Sequence, residues 1–279
     1  MLGGVSIHVL VALDGSEHAL SAARAAIGFA VRVPEVRLTA VHVVNVSAAQ
    51  GRFLADLAGL MGREPLLVPA NVEEAFRRRG QGLLDAFSAR CGKAGVSCRT
   101  VLDQGSVLER LVHHGSAADL VVAGTRGETT EAYEGHPGTL ERVIKRLPTP
   151  VLLVPSGPLV VKRLTLAYDG SAGAQAALRV CARVAGWFDA PVSVAWVAAE
   201  GARDPTPAAI EALLAEGLRA EVVQAVGEPG EALPVLHERC GGDVLVVAYR
   251  GRSGLAGWLL GRVTERLLDN PELALLVTR

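Results

Sequence analysis

Two short stretches carry residue types that could hold a polar ligand, and each occurs twice. Asp14-Gly15-Ser16 closes an apolar run that begins at Ile7, and Asp169-Gly170-Ser171 closes one that begins at Leu164. An aspartate in that place can accept a hydrogen bond from a ribose hydroxyl or orient a metal-bound water. Its other role is to cap the turn that follows it. The second stretch is glycine-rich. Gly124-x-x-Gly127 follows the run Leu120 to Ala123, and Ala248-Tyr249-Arg250-Gly251 follows Leu245 to Val247. Each leads through a loop to another small-residue turn, Gly138-Thr139 in one copy and Gly261-Arg262-Val263-Thr264 in the other. Glycine allows close backbone approach, and a helix start offers free N–H groups and a positive dipole end, so these turns suit phosphate.

The elements that must position these residues are legible from periodicity. The apolar runs before each Asp read as strands buried on both faces. Ala19, Ala22, Ala23, Ala26 and Ala30 after the first Asp, and Ala174, Ala177, Leu178, Cys181 and Val184 after the second, have helical spacing. Each Asp therefore stands at the carboxyl end of a strand, where open α/β sheets bind ligands. In the first half strands are expected at 5–13, 36–46, 97–103, 120–124 and 150–154, with helices at 17–32, 72–95, 107–115 and 138–146. In the second they are expected at 162–168, 191–198, 218–226, 243–248 and 273–278, with helices at 172–187, 207–216, 230–240 and 262–269. Strands alternating with helices give parallel sheets with right-handed crossovers.

The chain is thus one unit duplicated, with residues 1–155 as the first domain and 162–279 as the second. Pro155-Ser156-Gly157-Pro158 is a turn-like linker too short to separate them far. The first copy holds an insertion at about 47–71. Phe53, Leu57 and Leu60 there have the spacing of a short amphipathic helix, and a flap beside the first crevice is expected. The closing strands, Val151 to Val154 and Leu273 to Val277, are apolar edges. Pairing them antiparallel about a twofold would hide both, which predicts an intrachain pseudo-dimer.

Composition narrows the function. The 279 residues are 50% hydrophobic but only 4% aromatic, so two aliphatic cores are expected. A net charge of −1 argues against a nucleic-acid surface, and Arg77-Arg78-Arg79 reads as a solvated helix face. Four cysteines at 91, 98, 181 and 240 show no two-residue spacing and read as free thiols in a reducing compartment. The first residues lack a cationic leader region, and no run of about 18 apolar residues exists, so a soluble cytoplasmic protein with no membrane partner is expected. His113 and His114 are adjacent and point apart on a helix, which suits a surface pair rather than a shared metal. Trp258 lies in an apolar loop that would pack over the site or against the other domain. Neither Gly-x-Gly-x-x-Gly nor a Walker A loop is present, which sets aside dinucleotide and P-loop binding.

The repeated Asp and Gly-x-x-Gly turns make the chain resemble a tandem universal stress protein over nearly its whole length, outside the insertion. That family's ATP pattern is Gly-x-x-Gly, nine residues, then Gly-Ser/Thr, with a strand-one Asp. Its fold is a Rossmann-like five-stranded parallel sheet flanked by helices. The resemblance implies ATP as cofactor, with or without Mg. It implies contacts at Ala12, Leu13, Asp14, Val43, Gly124, Arg126, Gly127, Gly138 and Thr139 in the first half. The second-half contacts would be Ala167, Tyr168, Asp169, Val197, Ala248, Arg250, Gly251, Gly261, Arg262, Val263 and Thr264. Val43 and Val197 would meet adenine. The second copy departs from the pattern at Ala248 and Arg262. In the first, either Pro137-Gly138 or Gly138-Thr139 takes the Gly-Ser place. The function implied is an ATP-binding regulatory or protective module in stress response, with the repeats paired in the chain and a homodimer also open. The alternatives are a slow ATPase or transferase in the same crevice, and a nucleotide-free scaffold. No residue is placed as a general base, so no catalytic residue is assigned.

Overall fold

Strand β1 (Ile7–Ala12) lies at the topological centre of the first half. Around it a computed structural model describes residues 6–45, 70–127, 139–198, 201, 203–249 and 262–279. Helix α1 (Glu17–Arg32) starts where Ser16 caps it, Oγ accepting from Ala19 N at 3.1 Å. Then follow β2 (Val36–Val44), α2 (Ala70–Lys93), β3 (Cys98–Gln104), α3 (Val107–Gly115), β4 (Leu120–Gly124), α4 (Thr139–Arg146) and β5 (Val151–Val154). The second half repeats the order: β6 (Leu164–Ala167), α5 (Ala172–Phe188), β7 (Val192–Ala198), α6 (Thr206–Ala215), β8 (Ala220–Val226), α7 (Pro229–Arg239), β9 (Val244–Ala248), α8 (Arg262–Leu268) and β10 (Leu275–Thr278). The expected elements are all present, with ends shifted by at most two residues. The insertion and Trp258 lie outside the described residues.

One ten-stranded sheet runs through the molecule in the order β3-β2-β1-β4-β5-β10-β9-β6-β7-β8. Among the described residues all neighbours within each half are parallel, and the one antiparallel contact is β5 with β10. Its register is Leu153 to Leu275, Leu152 to Leu276 and Val151 to Val277. Gly124 faces Val154 and Ala248 faces Thr278, so Leu152 and Leu276 are repeat equivalents. They pair with each other, and a pseudo-twofold axis passes between them. The expected intrachain pseudo-dimer is therefore what forms.

Two apolar layers sandwich the sheet. One joins α1, α2, α5 and α6 to it, through residues such as Ala22, Phe29, Leu84, Ala177 and Leu213. The other joins α3, α4, α7 and α8, through Leu108, Ile144, Leu236 and Leu267. Both are aliphatic, as composition implies, and three of the few aromatics meet at the seam. Phe29 of α1 meets Trp187 and Phe188 of α5, with ring centroids 5.3 and 4.7 Å away. Arg32 lies over Phe188 and also donates to Val161 O at 3.1 Å. The linker is held too, Gly157 N donating to Ser21 Oγ at 3.0 Å.

Two substitutions test this seam. Leu153→Pro removes a strand N–H in the middle of β5 and should split the halves or aggregate the chain, seen as a larger radius in small-angle scattering. A compact variant of unchanged radius would refute the pairing. Thr278 stands where the first repeat has Val154. Its Oγ1 is buried and has no hydrogen-bond partner among the described residues. Thr278→Val should therefore raise unfolding free energy by about 1 kcal/mol in urea titration.

Candidate functional site

In each half the chain leaves the central strand toward one neighbour and returns to the other, so β1/β4 and β6/β9 are topological switch points. Because β5 and β10 run antiparallel, the two switch-point crevices open at opposite ends of the sheet. The same turn closes both central strands. Leu13 N donates to Val41 O at 2.9 Å, and Tyr168 N donates to Ala195 O at 2.9 Å. Asp14 Oδ1 then accepts from Ser16 N, and Asp169 Oδ1 from Ser171 N, each at 2.9 Å. Gly15 and Gly170 bend the chain at φ of +95° and +75°, which a side chain would strain. So both aspartates do cap their turns, and both remain half-exposed at the crevice rim.

The floor beside each Asp is apolar and open. Ala12 and Val43 in the first half, and Ala167, Val197 and Val263 in the second, are half-buried against the α3/α4/α7/α8 layer. Leu13 and Tyr168 point inward and are buried. Burial first, and then the Asp169 carboxylate, push the Tyr168 hydroxyl above its usual pKa, so it stays neutral. In the first half Ser16 Oγ also donates to Arg126 O at 3.4 Å, which ties the Asp14 turn to the start of the glycine-rich loop. Arg126 and Thr139 are exposed and Gly127 is half-buried. Thr125 Oγ1 hydrogen-bonds with His18 Nδ1 and donates to Pro271 O of the other half, at 2.8 and 2.9 Å. Thr264 is buried, donating to Ala248 O at 3.0 Å, so its hydroxyl serves the end of β9. Gly138, Arg250, Gly251, Gly261 and the Arg262 side chain lie outside the described residues.

Gly124 has a role that sequence reasoning did not assign. A Cβ there would lie 2.6 Å from His18 Cβ and 2.8 Å from Ala19 N. The glycine lets the first turn of α1 sit against β4, so any ligand contact is left to its backbone. Arg79 is a second unforeseen feature. Of the three arginines read as a solvated face, Arg77 donates to Gln104 Oε1 and Arg78 to Glu74. Arg79 instead lies over the Asp14 turn, its Nη2 3.4 Å from where a Gly15 Cβ would stand. In the second half Pro205 fills that place, 2.9 Å from a Cβ on Gly170. Only the folded position of α2 could show this.

The adjacent histidines are not the plain surface pair expected. His113 is exposed, but His114 Nε2 meets Asp103 Oδ2 at 2.8 Å and is half-buried. That hydrogen bond is the main cause holding the Asp103 carboxyl below its usual pKa, with Arg110 helping. In the last helices Glu141 pairs with Lys145, and Arg266 reaches Glu231 of α7 and Glu228, the N-cap of α7. Among the described residues no group of three His, Cys, Asp or Glu could hold a metal ion, and no helix is long and apolar enough to cross a membrane.

The first crevice thus combines an apolar half-open floor, a rim carboxylate, a glycine turn and a nearby guanidinium. A doubly wound sheet duplicated about a twofold, with this turn at both switch points, defines an α/β protein built from two repeated units. The chain belongs to the universal stress protein family, whose model matches residues 7–155 and again 161–279. It is 25% identical to universal stress protein Slr1230 of Synechocystis sp., over 98% of this chain and 99% of that one. Its fold matches the crystal structure of a universal stress protein from Archaeoglobus fulgidus DSM 4304 at TM-score 0.76 and 16% identity, covering 98% and 96% of the two chains. A protein of Pseudomonas aeruginosa PAO1, described as functionally unknown, matches at TM-score 0.61 and 16% identity, with 97% and 92% covered.

The packing at Gly124 makes a clear test. Gly124→Ala should cost about 1–3 kcal/mol in chemical denaturation, because the new methyl meets α1 backbone that cannot easily move. Ala248→Gly, its reciprocal, should cost about 1 kcal/mol or less. Equal and negligible effects would show that α1 does not press on β4.

Proposed function

We propose that this chain is an ATP-binding regulatory module of stress response, acting through conformation or partner proteins rather than turnover. The observation that carries the reading is the Asp-Gly-Ser turn, built twice with the same hydrogen bonds at the two switch points. At such a crevice the base would lie on the half-open floor of Ala12 and Val43, and the ribose hydroxyls would meet Asp14. Arg79 and Arg126 would stand near the phosphates, which would carry any Mg²⁺ with them. The first crevice is the stronger site, since Pro205 fills the place by Gly170 that Arg79 takes by Gly15.

Titration calorimetry with ATP, with and without Mg²⁺ and with NAD as the comparison, tests this. ATP should bind in preference to NAD. Arg79→Ala should weaken ATP about tenfold, which is about 1.4 kcal/mol. Ala12→Trp, which fills the floor, should abolish first-site binding while the circular dichroism spectrum is retained. Single-turnover incubation with labelled ATP should show no hydrolysis beyond the buffer rate. An intact fold that binds no ATP up to about 1 mM, a level worth about 4 kcal/mol, would overturn the reading and leave the scaffold alternative.

A further inference from the structure

The four cysteines are all free, but two of them are not solitary. Cys91 sits in the last turn of α2, and Cys98 is the first residue of β3. The chain reverses tightly between them. Ala94 N and Val96 N both donate to Cys91 O, at 3.0 and 2.9 Å, and Gly95 takes φ of +70°. This reversal folds the start of β3 back along the end of the helix. The Cys98 thiol reaches Ser88 Oγ at 3.9 Å. Ser88 and Cys91 are three apart on α2 and so share one face. The Cys98 thiol thus lies along that face, one helical turn from Cys91 and close enough to act on its thiol. Cys91 is 0% exposed, whereas Cys98 is half-buried on β3, the outermost strand of the sheet.

We propose that Cys91 and Cys98 form a reversible intramolecular disulfide when the protein meets hydrogen peroxide. The more accessible sulfur reacts first. The Cys98 thiolate attacks one peroxide oxygen, the O–O bond breaks, and hydroxide leaves, which gives a sulfenic acid. The Cys91 sulfur then attacks the sulfenic sulfur, the S–O bond breaks, and the departing hydroxyl takes the Cys91 proton to leave as water. In sum two thiols and one peroxide give one disulfide and two waters, the sulfurs being oxidised and the peroxide reduced. A dithiol reverses it by exchange.

The order of events follows from the surroundings. Burial, and then the neighbouring Cys98 thiol, push the Cys91 thiol up to about 12, so it is a poor target for an oxidant on its own and a slow resolving group. The other cysteines have different company. Cys181 is wholly buried in the α1/α2/α5/α6 layer, and burial raises its thiol further. Cys240 is engaged by the Thr165 hydroxyl at 3.2 Å and the His237 carbonyl at 3.3 Å. A link at 91–98 would tie the carboxyl end of α2, the helix that carries Arg79, to the outermost strand.

Peroxide treatment of the full chain followed by thiol titration in denaturant tests the proposal. The count should fall from four to two. Non-reduced tryptic digestion should give the Cys91–Lys93 peptide joined to the Ala94–Arg99 peptide, and dithiothreitol should restore all four thiols. In Cys91→Ser, Cys98 should be trapped as the sulfenic acid and take up dimedone. Cys98→Ser should keep its three remaining thiols over the same exposure. Four surviving thiols in the wild-type chain would overturn it. So would a linked pair other than 91–98, or a link between two chains.

Discussion

The antiparallel contact between β5 and β10 is the constraint on which the molecule depends. Each closing strand is short, apolar and bare of charge, so alone it would be an open template for aggregation. Their pairing satisfies both edges, continues the sheet through ten strands and buries Leu153, Leu275 and Leu276 almost completely. It also sets the direction of everything else. Because the two strands run oppositely, one half has its strand ends up and the other has them down, and the crevices face away from each other. The seam is reinforced on one face of the sheet by the ring contacts of Phe29, Trp187 and Phe188. Just past the end of β4, Thr125 donates to Pro271 of the second half. The halves are therefore joined at the site as well as at the sheet.

Duplication has not produced two equal sites. The Asp-Gly-Ser turn is copied to within the same hydrogen-bond lengths, since it depends only on three neighbouring residues and the strand beside them. What covers the turn is not copied. In the first half α2, at 24 residues, brings Leu83 and Arg79 over Gly15. In the second half the 10-residue α6 starts beside Gly170, and Pro205 occupies the space. A cation near one turn and a pyrrolidine ring near the other create different chemistry from the same motif.

The glycines show how one residue type can answer two demands. Gly15 and Gly170 are required by backbone dihedral, a local matter. Gly124 is required by the distance to α1, which is not local at all. Ala248, at the equivalent place, shows that the second half spaces its helix to admit a methyl group. A Gly-x-x-Gly pattern read as a ligand loop can thus be in part a packing device. The cysteines carry a similar lesson. Their spacing of seven residues matches no motif, and only the reversal after α2 brings the two sulfurs together.

By itself the sequence determined the alternation of strands and helices, the duplication, the position of each Asp at a strand end and the pairing of the closing strands. Those features rest on periodicity, on turn-forming residues and on the need to hide apolar edges, all of which are written in neighbouring residues. Ser16 and Ser171 cap their helices as their position predicts, and α3 spans the residues expected of it. Tertiary structure alone decided that Arg79 leaves its two neighbours to stand over the Asp14 turn. It also decided that His114 pairs with Asp103, that Gly124 receives α1 and that Cys98 lies along the α2 face that carries Cys91. Each of these depends on where a helix comes to rest against a sheet. That position is fixed by the packing of many side chains at once, and no short stretch of sequence records it.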